Sequence, residues 1–384
     1  MSELRGRLFV DGRLQPGRVA WEGERITAVE LEPELPNGAG GSGADLPIIA
    51  PGFVDLHVHG HGGCDPVDDL AGMARSLAAA GTTAFQPTLF PDEPAALGER
   101  AASVWTEANA LGQGNARPVG LHLEGPFVNP RAAGALPKDK LAVPSADALR
   151  AILGPATGDG RGVRTLTIAP ELPGTNELIA ELVRAGVRPS LGHSRATADE
   201  ARTAGRGGAC GATHLYNAMS GAHHRDAGLA SFALTDDALF CELIGDLVHV
   251  GADAIELALR ARGPGGLCLV SDALPGTGTG CDVFHWRGIE HLVRDGAVYY
   301  APTPDDEEPR LTGSACDQLT MVRKLTKAGV VSLEDALTMA STTPARALGL
   351  GGELGVLAVG AGADLLVLRG PELELERVVV RGQG

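Results

Sequence analysis

The sequence predicts an α/β chain built as a (β/α)8 TIM-like barrel, with a small β-sandwich domain made from both chain ends. Three observations carry this reading. Eight short apolar runs recur through the middle of the chain, longer amphipathic or alanine-rich stretches separate them, and most runs end at an ionisable residue. Parallel strands joined by helical crossovers produce this rhythm, and a closed barrel gathers the C-terminal ends of its strands on one face.

The runs are IIAPGFVDLHVHG (48–60), TTAFQPTL (82–89), PVGLHLEGP (118–126), VRTLTIAPE (163–171), VRPSLGHS (187–194), ACGATHLYN (209–217), ALFCELIGD (238–246) and GLCLVSDA (266–273). Helical candidates between them lie at 68–81, 96–112, 177–186, 197–208 and 251–263. An open doubly wound sheet is the alternative architecture. Its mark would be a GxGxxG loop after the first strand, where this chain carries HVHGHGG.

The ends read differently. RGRLFVDGRL and GRVAWEGERITAVE alternate and are broken by glycine turns, which predicts antiparallel sheet; ELGVLAVGAGADLLVLRG and LERVVVRG are also strand-like. Neither end buries a good core alone, so the two are expected to pair beside the barrel. A flexible stretch, PNGAGGSGAD, is expected at 36–45. The expected boundaries are 1–50 and 341–384 for the small domain and 51–340 for the barrel.

Composition narrows the class. The formal net charge of −16 opposes a nucleic-acid binder, and no Lys/Arg stripe offsets it. There is no run of 18 apolar residues, so no transmembrane helix is expected. MSELRGRLFV lacks an apolar core and cleavage pattern, so a cytoplasmic protein is expected. The six cysteines are scattered without a CxxC, which predicts buried free thiols.

The chemistry sits at the strand ends. His57 and His59 end the first run, Glu124 the third, Glu171 the fourth, His193 the fifth, His214 the sixth and Asp272 the eighth. His57 and His59 have period two, so both imidazoles point to one side of a strand. Neutral imidazoles and carboxylates suit zinc or iron, with cobalt or manganese also compatible. Glu124, His193 and His214 make one site. His57, His59 and Asp272 offer a second, with Glu124 or water between the ions, so one or two divalent metals are expected. Asp272 is the best-placed carboxylate to take a proton from water and return it to a leaving group. Glu171 is expected to order loops, with a direct role as the alternative. Asn217, Ala218, Arg225 and His249 follow the sixth and seventh strands and suit a sugar phosphate. His61, His223 and His224 are loop histidines without an assigned role.

PGFVDLHVHG, GLHLEGPFVNP, LGHS, ATHLYNAM, LVSDA, LTGS and the late MASTTPARALGL together resemble the N-acetylglucosamine-6-phosphate deacetylases of the amidohydrolase superfamily. The resemblance covers nearly the whole chain. It implies that Glu124, His193 and His214 are the principal metal ligands. His57 and His59 match a pair that some members use for a second ion. Asp272 matches the catalytic acid/base, and Asn217, Ala218, Arg225 and His249 match groups that contact an amino-sugar phosphate. It also implies a homodimer.

Two positions depart from the pattern. Family members usually carry a histidine twelve residues beyond the glutamate, and here position 136 is leucine. A leucine cannot donate a hydrogen bond to an acetyl carbonyl. The aspartate-glycine pair usual near Asp246 is aspartate-leucine. Two other functions are compatible with the chemistry: an amidohydrolase acting on a different N-acyl sugar, an N-acyl amino acid or a cyclic amide, or a non-catalytic sugar-phosphate sensor.

Overall fold

The structure is a computed structural model that describes residues 1–32, 46–154, 162–302 and 309–384. The stretch expected to be flexible at 36–45 lies outside the described residues.

All eight apolar runs form barrel strands: β1 (Phe53–Val58), β2 (Thr82–Leu89), β3 (Leu121–Leu123), β4 (Val163–Ile168), β5 (Arg188–Leu191), β6 (Gly211–Ala212), β7 (Phe240–Ile244) and β8 (Leu267–Val270). They pair in sequence order, in parallel. A bridge between Val58 and Ala273 and a bond from Asp272 N to the His57 carbonyl (2.8 Å) join β8 to β1 and close the ring. A helix follows each strand: Leu70–Ala79, Pro94–Ala110, Ala146–Leu153, Thr175–Arg184, Ala198–Arg206, Leu229–Thr235, Ala252–Arg262 and Gln318–Lys327. Local chemistry starts several of them. Asp69 caps the first through Gly72 N, and Thr197 and Glu200 form a reciprocal capping box on the fifth.

The chain ends pair into one six-stranded sheet, in the order Glu374–Val379, Leu365–Arg369, Ile48–Pro51, Ser2–Val10, Arg13–Glu22, Arg25–Leu31. Asp11 and Gly12, both at positive φ, make the two-residue turn of the first hairpin. The strand alternation serves two cores. Leu8, Ile49 and Leu365 pack with Trp21 and Leu357, while Phe9, Ile48, Ala50 and Leu366 join the main barrel core. The sequence run at 48–60 is therefore two strands, divided at Gly52.

One element was not anticipated. A four-stranded antiparallel sheet, made of Val283–Trp286, Ile289–Arg294, Ala297–Tyr300 and Leu311–Ser314, sits between β8 and its helix. Among the described residues no helix is long and apolar enough to cross a membrane. All six cysteines are free, as expected, but Cys281 is exposed and Cys64 and Cys210 are only half-buried.

Candidate metal centre and active site

The inward side of the barrel is polar. Asp55, His57 and His59 alternate with Val54, Leu56 and Val58 along β1, all buried. Deeper in the barrel, Thr213 Oγ1 bonds Thr167 Oγ1 (2.9 Å) and Ser190 Oγ (2.7 Å), and His122 Nε2 bonds Thr167 Oγ1 (2.8 Å). This buried network is fully paired and supports the groups above it.

The five residues predicted as ligands converge above that network. Glu124 Oε1 lies 2.9 Å from His193 Nε2 and 3.1 Å from His214 Nε2, and these two nitrogens are 2.9 Å apart. Glu124 Oε2 lies 3.2 Å from His59 Nε2, which in turn is 3.2 Å from His57 Nε2. One carboxylate therefore spans two imidazole pairs. Asp272 Oδ1 stands 3.5 Å from both His57 Nε2 and His59 Nε2. His193, His214 and Asp272 adopt left-handed backbone conformations (φ 46°, 32° and 47°). The chain turns out of each strand at the residue whose side chain is needed, a strain the barrel must hold.

The donor chemistry fits a divalent cation. His193 Nδ1 donates to the Ala132 carbonyl (2.8 Å), because a carbonyl only accepts. A neutral His193 then aims a bare Nε2 lone pair at Glu124 and His214. His57 Nδ1 pairs with Glu242 Oε2 (3.0 Å), which leaves its Nε2 facing His59 and Glu124 in the same way. Nε2 lone pairs and a carboxylate crowded together need positive charge among them. The groups His57–His59–Glu124 and Glu124–His193–His214 each bring three ligand atoms within 4.8 Å of one another.

The electrostatics agree. Burial pushes His57 far below the usual imidazole range. Burial would raise Glu124, but the surrounding imidazoles, His57 first, hold its carboxyl well below the usual carboxylate range. His214 is raised to about 9: burial opposes this, but the bond and charge of Glu124, with the charges of Asp272 and Glu242, together outweigh it. Asp272 is pushed well up by burial and by the Glu124 charge.

Sequence reasoning missed three residues. Glu242, in the middle of β7, supports His57 and accepts the His214 backbone N–H (3.4 Å). His122, on β3, packs edge-on to His57 and, with His57 and Glu242, forms a third group of ligand type. Asp55 Oδ1 accepts from His57 N and Ser271 N (3.2 Å each), tying β1 to β8; burial pushes its carboxyl up to about 7. The signal was present as a continued period of two, in DLHVH and HLE, and as an acid inside an otherwise apolar run.

Other expectations resolve individually. Glu171 ties loops: it accepts from Asn129 Nδ2 (2.8 Å), Ser194 Oγ (2.7 Å) and Arg195 N (2.5 Å). His61 Nδ1 bonds Ser76 Oγ (2.7 Å) outside the metal groups. His249 Nδ1 bonds Asp246 Oδ2 (2.6 Å), which fixes the ring after β7. Asn217 is half-buried three residues after His214, and Ala218 is left-handed (φ 49°). Arg225 is exposed on the loop after β6 and makes no ion pair among the described residues. Leu247, which follows Asp246, is left-handed at φ 64°. Leu136 is buried in a small apolar cluster with Val128 and Ala133, packed against Phe90.

The amidohydrolase family model matches residues 48–383. The chain belongs to the amidohydrolase family. This amidohydrolase is 34% identical over 379 residues to a rat protein named N-acetylglucosamine-6-phosphate deacetylase, covering 95% of this chain and 88% of that one. It is 31% identical over 346 residues to an N-acetylgalactosamine-6-phosphate deacetylase of Escherichia coli O157:H7, covering 88% of each. A variant of the Mycobacterium smegmatis N-acetyl-D-glucosamine-6-phosphate deacetylase, solved with N-acetyl-D-glucosamine-6-phosphate bound, superposes with a TM-score of 0.85 at 30% identity, covering 99% of this chain and 98% of that one.

Proposed function

We propose that this amidohydrolase removes the acetyl group of N-acetylglucosamine 6-phosphate, giving glucosamine 6-phosphate and acetate. The observation that carries the reading is the reach of Glu124 to both imidazole pairs with Asp272 3.5 Å from His57 and His59. The deacetylase relatives support the substrate. Glu124, His193 and His214 would hold one divalent ion, and His57 and His59 a second; zinc or iron suits the set, and cobalt or manganese is compatible. A bound ion there supplies an acidified water and polarises the amide carbonyl.

The residues do the remaining work. Asp272 takes the water proton on its carboxylate and delivers it to the departing amine nitrogen. Its buried position keeps that proton from bulk water. Arg225 and His249 bind the 6-phosphate, and Asn217 with the Ala218 backbone orients the sugar. Asp246 holds His249 by one ring nitrogen and so leaves the other for the phosphate. We take the enzyme to be a cytoplasmic homodimer, with domain boundaries at residues 50 and 340.

The E. coli relative favours a second reading, N-acetylgalactosamine 6-phosphate, which differs only at one hydroxyl. Acetate release from N-acetylglucosamine, its 6-phosphate and the galactosamine 6-phosphate analogue tests both. Release from the phosphorylated glucosamine compound at least tenfold faster than from the other two supports the proposal. Faster release from the galactosamine compound selects the second reading, and release from neither phosphorylated sugar overturns both.

A further inference from the structure

Beside the metal groups, on the β2 side, lies a cavity of ≈ 180 Å³. His59 forms one wall, so the cavity begins at a candidate metal ligand. Leu89 and Phe90 come from the end of β2, Val67 from the loop after β1, and Trp286 from the tip of the hairpin after β8. The Phe90 ring stacks on His59 (centroids 4.2 Å apart), and Trp286 lies 5.4 Å from Phe90. Behind Phe90 is the apolar Val128–Ala133–Leu136 cluster.

Of the charged groups at the rim, Arg100 and Asp65 are engaged by hydrogen bonds, Arg287 lies against rings, and Asp68 is exposed. Arg100 pairs with Asp92 (2.8 Å). Asp65 accepts the Trp286 indole N–H (2.6 Å) and the backbone N–H groups of Val67 and Asp68 (2.8 Å each). Arg287 lies over the Phe90 and Trp286 rings, at 5.2 and 5.7 Å. Ring faces and aliphatic side chains of Val67, Leu89, Phe90 and Trp286 share the lining with these polar groups.

Position gives the cavity its ligand. In an eight-stranded ring β2 stands opposite β6, and the groups assigned to the sugar phosphate follow β6 and β7. An amide whose nitrogen-borne sugar points toward β6 and β7 extends its acyl carbon toward β1 and β2. Acetyl needs room for one methyl, and the cavity exceeds that. We propose that this cavity is an acyl pocket, and that the enzyme hydrolyses N-acyl amino-sugar phosphates with straight chains of three or four carbons. The proposal rests on the amide-hydrolysis reading above. In the reaction the acyl C–N bond breaks, the water oxygen joins the acyl carbon, and the amine nitrogen takes the proton carried by Asp272. The butanoyl compound thus yields butanoate and glucosamine 6-phosphate.

Burying a methylene is worth about fourfold in binding, which offsets the cost of ordering a longer chain. The test compares kcat/KM for the N-acetyl, N-propanoyl and N-butanoyl derivatives of glucosamine 6-phosphate. The expected result is a butanoyl value within tenfold of the acetyl value or above it, with the butanoyl-to-acetyl ratio falling at least tenfold in Val67→Phe. Butanoate is also expected to quench tryptophan emission in the wild type and not in Trp286→Phe. A butanoyl value more than tenfold below acetyl, an unchanged ratio in Val67→Phe, or equal quenching in both proteins overturns the pocket and leaves deacetylation standing. Release of no acyl group from any of the three overturns both.

Discussion

The Nδ1 atom of His57 lies 3.0 Å from Oε2 of Glu242, an acid placed in the middle of β7 and buried beneath the candidate metal centre. This bond selects the tautomer of His57 and turns Nε2 toward His59 and Glu124. Partners of this kind change metal affinity about ten- to a hundredfold. Glu242→Ala is therefore expected to weaken binding at the His57–His59 pair by that factor. The site formed by Glu124, His193 and His214 should be affected less. Metal titration against a competing chelator measures both, and unchanged affinity at both sites would contradict the assigned role of Glu242.

Asp272 is the proposed proton carrier, and burial and the Glu124 charge push its carboxyl well up. Asp272→Asn keeps the size and removes the proton acceptor. The expected loss in kcat is about a thousandfold, with KM changed little. A loss below tenfold would assign the proton transfer to another group.

Arg225 and His249 are expected to act on the phosphate alone. Alanine at either position should raise KM for the phosphorylated sugar about ten- to a hundredfold, the range of a charge-assisted hydrogen bond. Turnover of unphosphorylated N-acetylglucosamine should not change. An equal loss on both sugars would mean that these residues hold the fold or the ring, and not the phosphate.

Asp92 fixes the loop after β2. Burial would raise its carboxyl, but Lys140, the Glu93 backbone N–H and Arg100 bring it from 3.8 to about 2. A folded-state pKa below the unfolded value gives stability that is present above about pH 4 and disappears as pH falls toward 2. The partners Arg100 and Lys140 are 29% and 38% exposed, so solvent screening reduces the contribution to about 1 kcal/mol. Urea unfolding of Asp92→Asn should show this loss at pH 7 and a shrinking difference from wild type as the pH approaches 3. A pH-independent difference would mean that packing, and not charge, is responsible.

The barrel was legible in the sequence because the barrel strands are largely buried on both faces and read as apolar runs, while an ionisable residue interrupts most of the runs at the end. The candidate ligand set was legible for the same reason. His193, His214 and Asp272 stand where an apolar pattern stops. Glu242 was marked as an acid inside an apolar run, but its role was not legible, because its partner, His57, is 185 residues away. The sheet over residues 283–314 was missed because its strands are half-exposed and lack a clean alternation. Leu136 could be read as a departure, but only the structure shows it beside Phe90, and hence beside the cavity next to His59.

The central claim is tested most directly by acetate release from N-acetylglucosamine 6-phosphate by one preparation, first stripped of metal with a chelator and then titrated with zinc or ferrous ion. The account predicts less than about 1% of full activity in the stripped protein. It predicts recovery that saturates at one or two ions per chain and no recovery in a Glu124→Ala, His193→Ala double variant. Undiminished release by the stripped protein, or full recovery in the double variant, would contradict it.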